Sequence, residues 1–336
     1  MTVSRSGKAL AALVVLALSF GSASALDKPV KLTMSTQGVG TAMYMYASSI
    51  ANLFTKELPE GSRVDLETTS PGGVGAPVIL DRGKCDLILG NAAPAKWACE
   101  SGILGSKPTA NVRALAGGLG NDFVNVLLTK EFVDRTGLTT VEEIVTKKHP
   151  VRIAIKANGA FGELACSKVL GVLGASYDDV KSWGGSVTQT GSEAIGSLLK
   201  DGKADLTIDH VGAGQSATTE LCMTTAMYFP KLAPETLKKL NAEGFADAVI
   251  PANTWRGQTE EIKSVGSPQV VLCAASLPND VVYALTKAIC DGKDIMAKSN
   301  ATLASFDPAT AGSALKTGAP LHPGAEAYYK DMGYIK

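Results

Sequence analysis

Three histidines, His149, His210 and His322, are the only imidazoles in the chain, and no two stand at a spacing that would put them on one metal ion. The H-E-x-x-H and G-x-S-x-G patterns are missing, so neither a zinc-bound water nor a nucleophile elbow is written into the sequence. Asp205, Asp209 and His210 are the one group that could form an acid–base set. The simpler reading has Asp205 pairing locally, with Asp209 and His210 at the end of a strand, where ligands bind in open α/β sheets. A secreted hydrolase using His210 is the alternative from another class, because folding rather than spacing brings a nucleophile to its base. No catalytic residue, metal or cofactor is expected.

The remaining chemistry belongs to the backbone. Three turns, Gly38–Thr41 with Gly40 inside it, Gly72-Gly73-Val74, and Gly159-Ala160-Phe161-Gly162, each lead into a helix. The first N–H groups of a helix lack partners and lie at the positive end of its dipole, which suits a carboxylate or other anion. The first turn lacks the third glycine of a dinucleotide fingerprint, and no Gly-Lys-Ser/Thr follows it. Helix starts converging from two lobes would make a cleft for a small carboxylate, clamped by hinge closure.

These turns must be held by regular elements, and the stretch Ser70–Asn91 shows how. It reads as a glycine turn, a short helix with proline in its first turn, a stop at Gly83, and a buried strand Cys85–Leu89 that ends at Gly90-Asn91. Gly191–His210 repeats the grammar, with Gly202-Lys203-Ala204-Asp205-Leu206 echoing Gly83-Lys84-Cys85-Asp86-Leu87. Both glycines are expected to take positive φ. Around the two units, strands are predicted at Lys28–Ser35, Arg63–Thr68, Val112–Ala116, Phe123–Thr129, Val151–Lys156 and Ser267–Ala274. Helices are predicted at Ala42–Glu57, Glu163–Leu173, Pro234–Gly244 and from Pro278 to about Gly292. Alternating strands and helices define an α/β protein, and the length favours two lobes joined by crossing strands.

Met1–Ala25 reads as a cleaved leader: Arg5 and Lys8, an apolar run Ala9–Phe20, and Ala23-Ser24-Ala25 before the cut. Removing Arg5 and Lys8 leaves 30 basic residues against 32 acidic, a net charge of −2, which speaks against a nucleic-acid partner. Six cysteines in an exported chain permit disulfides. Cys85 with Cys99 and Cys273 with Cys290 are the preferred pairs, with buried free thiols as the other reading.

The C-terminal run Pro320-Leu321-His322-Pro323-Gly324-Ala325-Glu326-Ala327-Tyr328-Tyr329-Lys330 resembles the signature of the TAXI-type solute-binding proteins of tripartite ATP-independent periplasmic (TRAP) transporters. Ile250-Pro251-Ala252-Asn253-Thr254-Trp255 and the Gly-Lys-x-Asp-Leu units support the resemblance, which spans the mature chain. It implies a two-lobed type II periplasmic-binding-protein fold, with residues 26–125 and 270–336 in one lobe and 126–269 in the other. It also implies a monomeric periplasmic receptor that hands a small organic acid, or an amino-acid-like ligand, to TRAP permease subunits. An ABC-importer receptor or a sensor of the same fold are the alternatives. His322 and Pro323 are expected to be structural. Where relatives carry Gly-Ser-x-x-Asn and Gly-Ser-Gly-Thr, this chain has Gly72-Gly73-Val74-Gly75-Ala76 and Gly159-Ala160-Phe161-Gly162. The hydroxyl and amide groups that would bind an amino acid are missing there, and Phe161 makes the pocket more apolar. Thr41, Tyr44, Asn91, Asn158 and His210 are the polar candidates that remain, with Lys156 or Arg256 as a source of positive charge.

Overall fold

The computed structural model describes Leu26 and residues 28–39, 41–70 and 72–336. The expected leader and Gly40 therefore lie outside the described residues. The first lobe opens with β1 (Lys31–Ser35), α1 (Ala42–Glu57), β2 (Arg63–Glu67), α2 (Ala76–Asp81), β3 (Leu87–Asn91), α3 (Ala92–Glu100) and β4 (Val112–Leu119). The chain then crosses to β5 (Asp122–Thr129), α4 (Lys130–Thr136), α5 (Val141–Thr146), β6 (Arg152–Lys156), α6 (Phe161–Val172), α7 (Tyr177–Ser182) and β7 (Ser186–Thr190). The second lobe continues through α8 (Ser192–Lys200), β8 (Leu206–Gly212), α9 (Ser216–Thr224), β9 (Met227–Tyr228), α10 (Pro234–Ala242), β10 (Ala246–Ile250) and β11 (Ile262–Gly266). It returns through β12 (Gln269–Ala274), α11 (Asn279–Asp291), α12 (Lys293–Ser299), α13 (Ala314–Thr317) and α14 (Pro323–Asp331).

Two five-stranded sheets carry these elements, in the orders β2-β1-β3-β12-β4 and β7-β6-β8-β5-β9. In each the first three strands are parallel, and the strand that arrives from the other lobe, β12 or β5, pairs antiparallel beside them. The carboxyl ends of the parallel strands thus face the other lobe, across the segments Leu119–Asp122 and Gly266–Gln269. That is the expected two-lobed α/β fold.

The repeated Gly-Lys-x-Asp-Leu unit has one physical job performed twice. Gly83 and Gly202 take φ of 66° and 64°, ending their helices in a left-handed turn. The aspartate that follows then ties its strand to the parallel neighbour. Asp86 accepts from the Thr33 N–H at 2.8 Å, and Asp205 from the Arg152 N–H at 3.0 Å. The strand begins at Leu87 rather than at Cys85. Helix α1 matches its expected bounds, with the Thr41 hydroxyl accepting from the Tyr44 N–H at 3.2 Å as N-cap. Helix α6 starts at Phe161, two residues earlier than the periodicity suggests.

All six cysteines are free, which corrects the preferred pairings Cys85–Cys99 and Cys273–Cys290. Cys85 packs among small apolar groups with Leu80 and Ala274, while Cys99 accepts from the Thr109 hydroxyl at 3.4 Å. Cys273 and Cys290 are separate members of the first-lobe core. Burial pushes the Cys85 and Cys222 thiols up to about 11 and those of Cys166 and Cys290 up to about 12, so they stay protonated. Among the described residues no helix is long and apolar enough to cross a membrane.

Candidate functional site

Ser267, fully buried in the crossing segment between β11 and β12, is held from both lobes at once. From the first lobe the Asn91 side-chain amide donates to its carbonyl at 3.0 Å, and the Ala93 N–H donates to its hydroxyl at 2.9 Å. From the second lobe His210 Nε2 accepts the Ser267 N–H at 3.0 Å. The expected residues Asn91 and His210 therefore meet through a serine that sequence reasoning gave no role. A short polar residue before Pro268 carries no motif, and its function comes from where the two crossings run.

His210 is half-buried on β8, and its environment drives its pKa down to about 3 because an imidazolium there would lose its hydration. The ring is therefore neutral. With Nε2 accepting, its proton sits on Nδ1 as a donor. The Phe161 ring lies against it with centroids 4.1 Å apart. Trp97 from α3 of the first lobe meets Phe161 and Phe245 edge-on at 6.2 and 5.7 Å. The Trp97 indole N–H donates to the Glu243 carbonyl at 2.6 Å, and the Lys168 ammonium sits 4.9 Å over its ring. Val74, Ala93, Ala98 and Ile103 join the same apolar cluster from the first lobe. The second and third turns are thus gathered at a largely apolar contact between lobes. Trp97 and Phe245 were missed, since isolated aromatics have no spacing signal.

Glycine is required at two points of this contact. A Cβ at Gly73 would overlap the Asn91 side-chain oxygen, and one at Gly162 would overlap the Asp209 carboxylate. Gly72 has φ of 128° and packs beside the Gln37 amide. Gly159, at φ 83°, approaches Leu104 from across the lobes. Ala160 is the N-cap of α6 and provides no side-chain cap, leaving the helix's first N–H groups to other partners. Asn158 is exposed at the turn before it. Thr41 and Tyr44 lie on α1, where the Thr41 hydroxyl is already used as the cap and donates to the Gly38 carbonyl at 2.8 Å. The structure does not join those two residues to the His210 group by any hydrogen bond.

The charged candidates are spent elsewhere. Lys156 pairs with Asp209 at 3.3 Å and also hydrogen-bonds the Ser192 hydroxyl. Arg256 donates to the Met223 carbonyl at 3.0 Å, beside α9. Asp205 is held by Arg152 at 2.6 Å and Arg135 at 3.2 Å, which depress its pKa despite burial. Asp209 binds the His210 backbone N–H at 2.8 Å, and among the described residues no carboxylate hydrogen-bonds the His210 ring. The acid–base reading of Asp205, Asp209 and His210 therefore lacks its geometry. His322 is buried as the N-cap of α14, its Nδ1 accepting from the Gly324 N–H at 3.1 Å, and the Tyr329 hydroxyl bonds the Leu115 carbonyl at 3.0 Å. The C-terminal run thus serves the first-lobe core.

Two α/β lobes joined at a polar hinge, with helix starts facing each other across it, define the periplasmic solute-binding receptor fold. The chain belongs to the NMT1-like family, whose pattern matches residues 34–333. Among solved structures it is similar to a TctC solute-binding protein from Polaromonas, determined without ligand. That match has 14% identity and a TM-score of 0.52, covering 91% of this chain and 98% of that one. The periplasmic binding protein BugD gives 15% identity and a TM-score of 0.47 over 91% and 94% of the two chains. MatC from Rhodopseudomonas palustris, with bound malate, gives 13% and 0.48 over 91% and 98%. The Polaromonas protein shares the fold.

Proposed function

We propose that this chain is a monomeric, non-catalytic receptor of the periplasm that captures a small organic acid between its lobes and passes it to a TRAP-type permease. Residues 26–125 with 270–336 grip one side of the ligand, and 126–269 the other. The supporting observation is His210, a neutral ring whose Nε2 is tied to the hinge at Ser267, which leaves Nδ1–H as its donor beside the uncapped start of α6. A carboxylate placed there accepts from the ring and from the first N–H groups of α6, without a buried cation. Asn91, Gly72, Gly73 and Val74 bound the opposite wall, with Thr41 and Tyr44 further out on the first lobe. Phe161, stacked on His210 at the start of α6, favours an acid with an apolar body. Delivery to a TRAP permease rests on the C-terminal resemblance; an ABC importer or a sensory partner would use the same fold.

Thermal unfolding with aliphatic dicarboxylates, aromatic acids and amino acids tests the reading. An acid at about a hundred times its Kd adds roughly 2.7 kcal/mol to folded-state stability, moving the midpoint by a few degrees. The shift is expected for one class of acid and is lost in His210→Phe. Response to amino acids alone, or a shift that survives His210→Phe, would overturn the assignment.

A further inference from the structure

The two crossings between lobes are tied to each other by one side-chain bond. Asp122 opens β5 in the second-lobe sheet, opposite Gly212, and Gln269 opens β12 in the first-lobe sheet, between Asn91 and Leu119. The Gln269 amide donates to the Asp122 carboxylate, so the bond runs from one sheet to the other at the pivot. Glycines let the crossings come this close. A Cβ at Gly266 would lie 2.0 Å from the Asp122 carbonyl oxygen, and one at Gly120, where φ is 68°, 2.3 Å from the Gln269 side-chain oxygen. Beside the bond is a cavity of ≈ 100 Å³ whose walls come from both lobes: Ser305 and Lys316 from the first, Asp247 on β10 from the second, and Asp122, Gly266 and Pro268 from the crossings.

The groups around Asp122 leave its charge without a partner ion. On α13, Lys316 donates to the Thr310 hydroxyl; on β10, Asp247 is exposed and accepts from the Asn241 amide at 3.1 Å; on α1, the Tyr46 hydroxyl pairs with Thr302. Strands β8 and β11 bring only Gly212 and Gly266 against it. Among the described residues Gln269 alone hydrogen-bonds the carboxylate, and burial raises its pKa to about 6 against the pull of that bond.

We propose that Asp122 and Gln269 form a proton-operated catch on the hinge: the closed arrangement of the lobes takes up a proton at Asp122, and its loss favours opening. Because the walls around the carboxylate come from both lobes, rotation about the crossings parts them and lets water reach it. The open form then releases the proton in the ordinary carboxylate range and the closed form near 6, so acid shifts the balance towards closure, by up to about tenfold between pH 7.5 and 5. The catch rests on the two-lobed fold alone and needs no assumption about the ligand.

Small-angle X-ray scattering of the mature chain, stripped of bound solute, tests it at pH 7.5 and 5. The radius of gyration is expected to be smaller at pH 5. Asp122→Asn is neutral at both values and still accepts from Gln269, so it is expected to show the smaller radius at both. Gln269→Leu removes the one donor to the ionised carboxylate and is expected to enlarge the radius at pH 7.5. The two variants thus move the chain in opposite directions, which general destabilisation does not do. A radius that is unchanged by pH, that grows on acidification, or that responds equally in Asp122→Asn would overturn the proposal, as would both variants shifting the radius the same way. No ligand is present, so failure of the organic-acid reading leaves this result standing.

Discussion

His210 carries two duties in one ring, and its proton inventory follows from them. Its pKa falls to about 3 on folding, whereas an unfolded histidine titrates near 6.5, so the unfolded chain takes up a proton that the folded chain refuses. The stability this neutral ring contributes is complete above about pH 6.5 and is lost as pH falls towards 3, by up to about 1.4 kcal/mol per pH unit. Asp122 works in the opposite direction. Burial raises it to about 6 despite its hydrogen bond from Gln269, so its contribution grows as pH falls through that value towards 3.8. Denaturant unfolding from pH 7.5 to 4.5 is expected to show a smaller acid loss in His210→Phe than in the unsubstituted chain. Identical pH slopes in the two proteins would rule the depressed pKa out. At this scale His210 and Phe161 were legible, because a strand end and a turn before a helix are sequence positions. Ser267 was not, since its three hydrogen bonds come from residues 57 to 176 positions away.

Helices and strands with their own local signals stood out in the sequence. Helix α1 has a threonine cap and sixteen residues of periodic apolar side chains, and both glycine stops sit at positive φ. Strands β7, β10 and β11 did not stand out: β7 and β10 are half exposed, so no continuous apolar run marks them. The interlobe contact was hidden for a different reason. Helix α3 was not predicted, and its Trp97 belongs to the second lobe's apolar cluster. Trp97→Ala is expected to cost about 3 kcal/mol, the lower range for removing a large buried ring. Because the ring bridges lobes, that loss falls on closure. Small-angle X-ray scattering should give a larger radius of gyration for the variant along with a lower melting point. A lower melting point with unchanged dimensions would reduce Trp97 to simple packing.

At the level of the whole molecule, composition and export signals left the cysteines undecided, and only tertiary packing settles them. Six thiols spread over four packing clusters in both lobes are free, and none lies on an exposed residue. Dithiothreitol is therefore expected to leave the melting point within about a degree, where breaking a disulfide would lower it by far more. A thiol reagent should label the native chain slowly and reach six equivalents only on unfolding; rapid labelling of fewer than six in denaturant would reveal a bridge. The two-lobed plan itself was legible because the glycine-aspartate unit occurs once per lobe, each copy clamping a strand to its neighbour. The arrangement of rings at the lobe contact has one more consequence, in optical terms. Of the chain's three indoles, Trp183 ends α7 and Trp255 stacks with Phe229, both in the second lobe, while Trp97 alone spans the gap between lobes. Its emission is thus a built-in gauge of domain separation against a background that stays constant, and the chain reports its own opening without an attached dye.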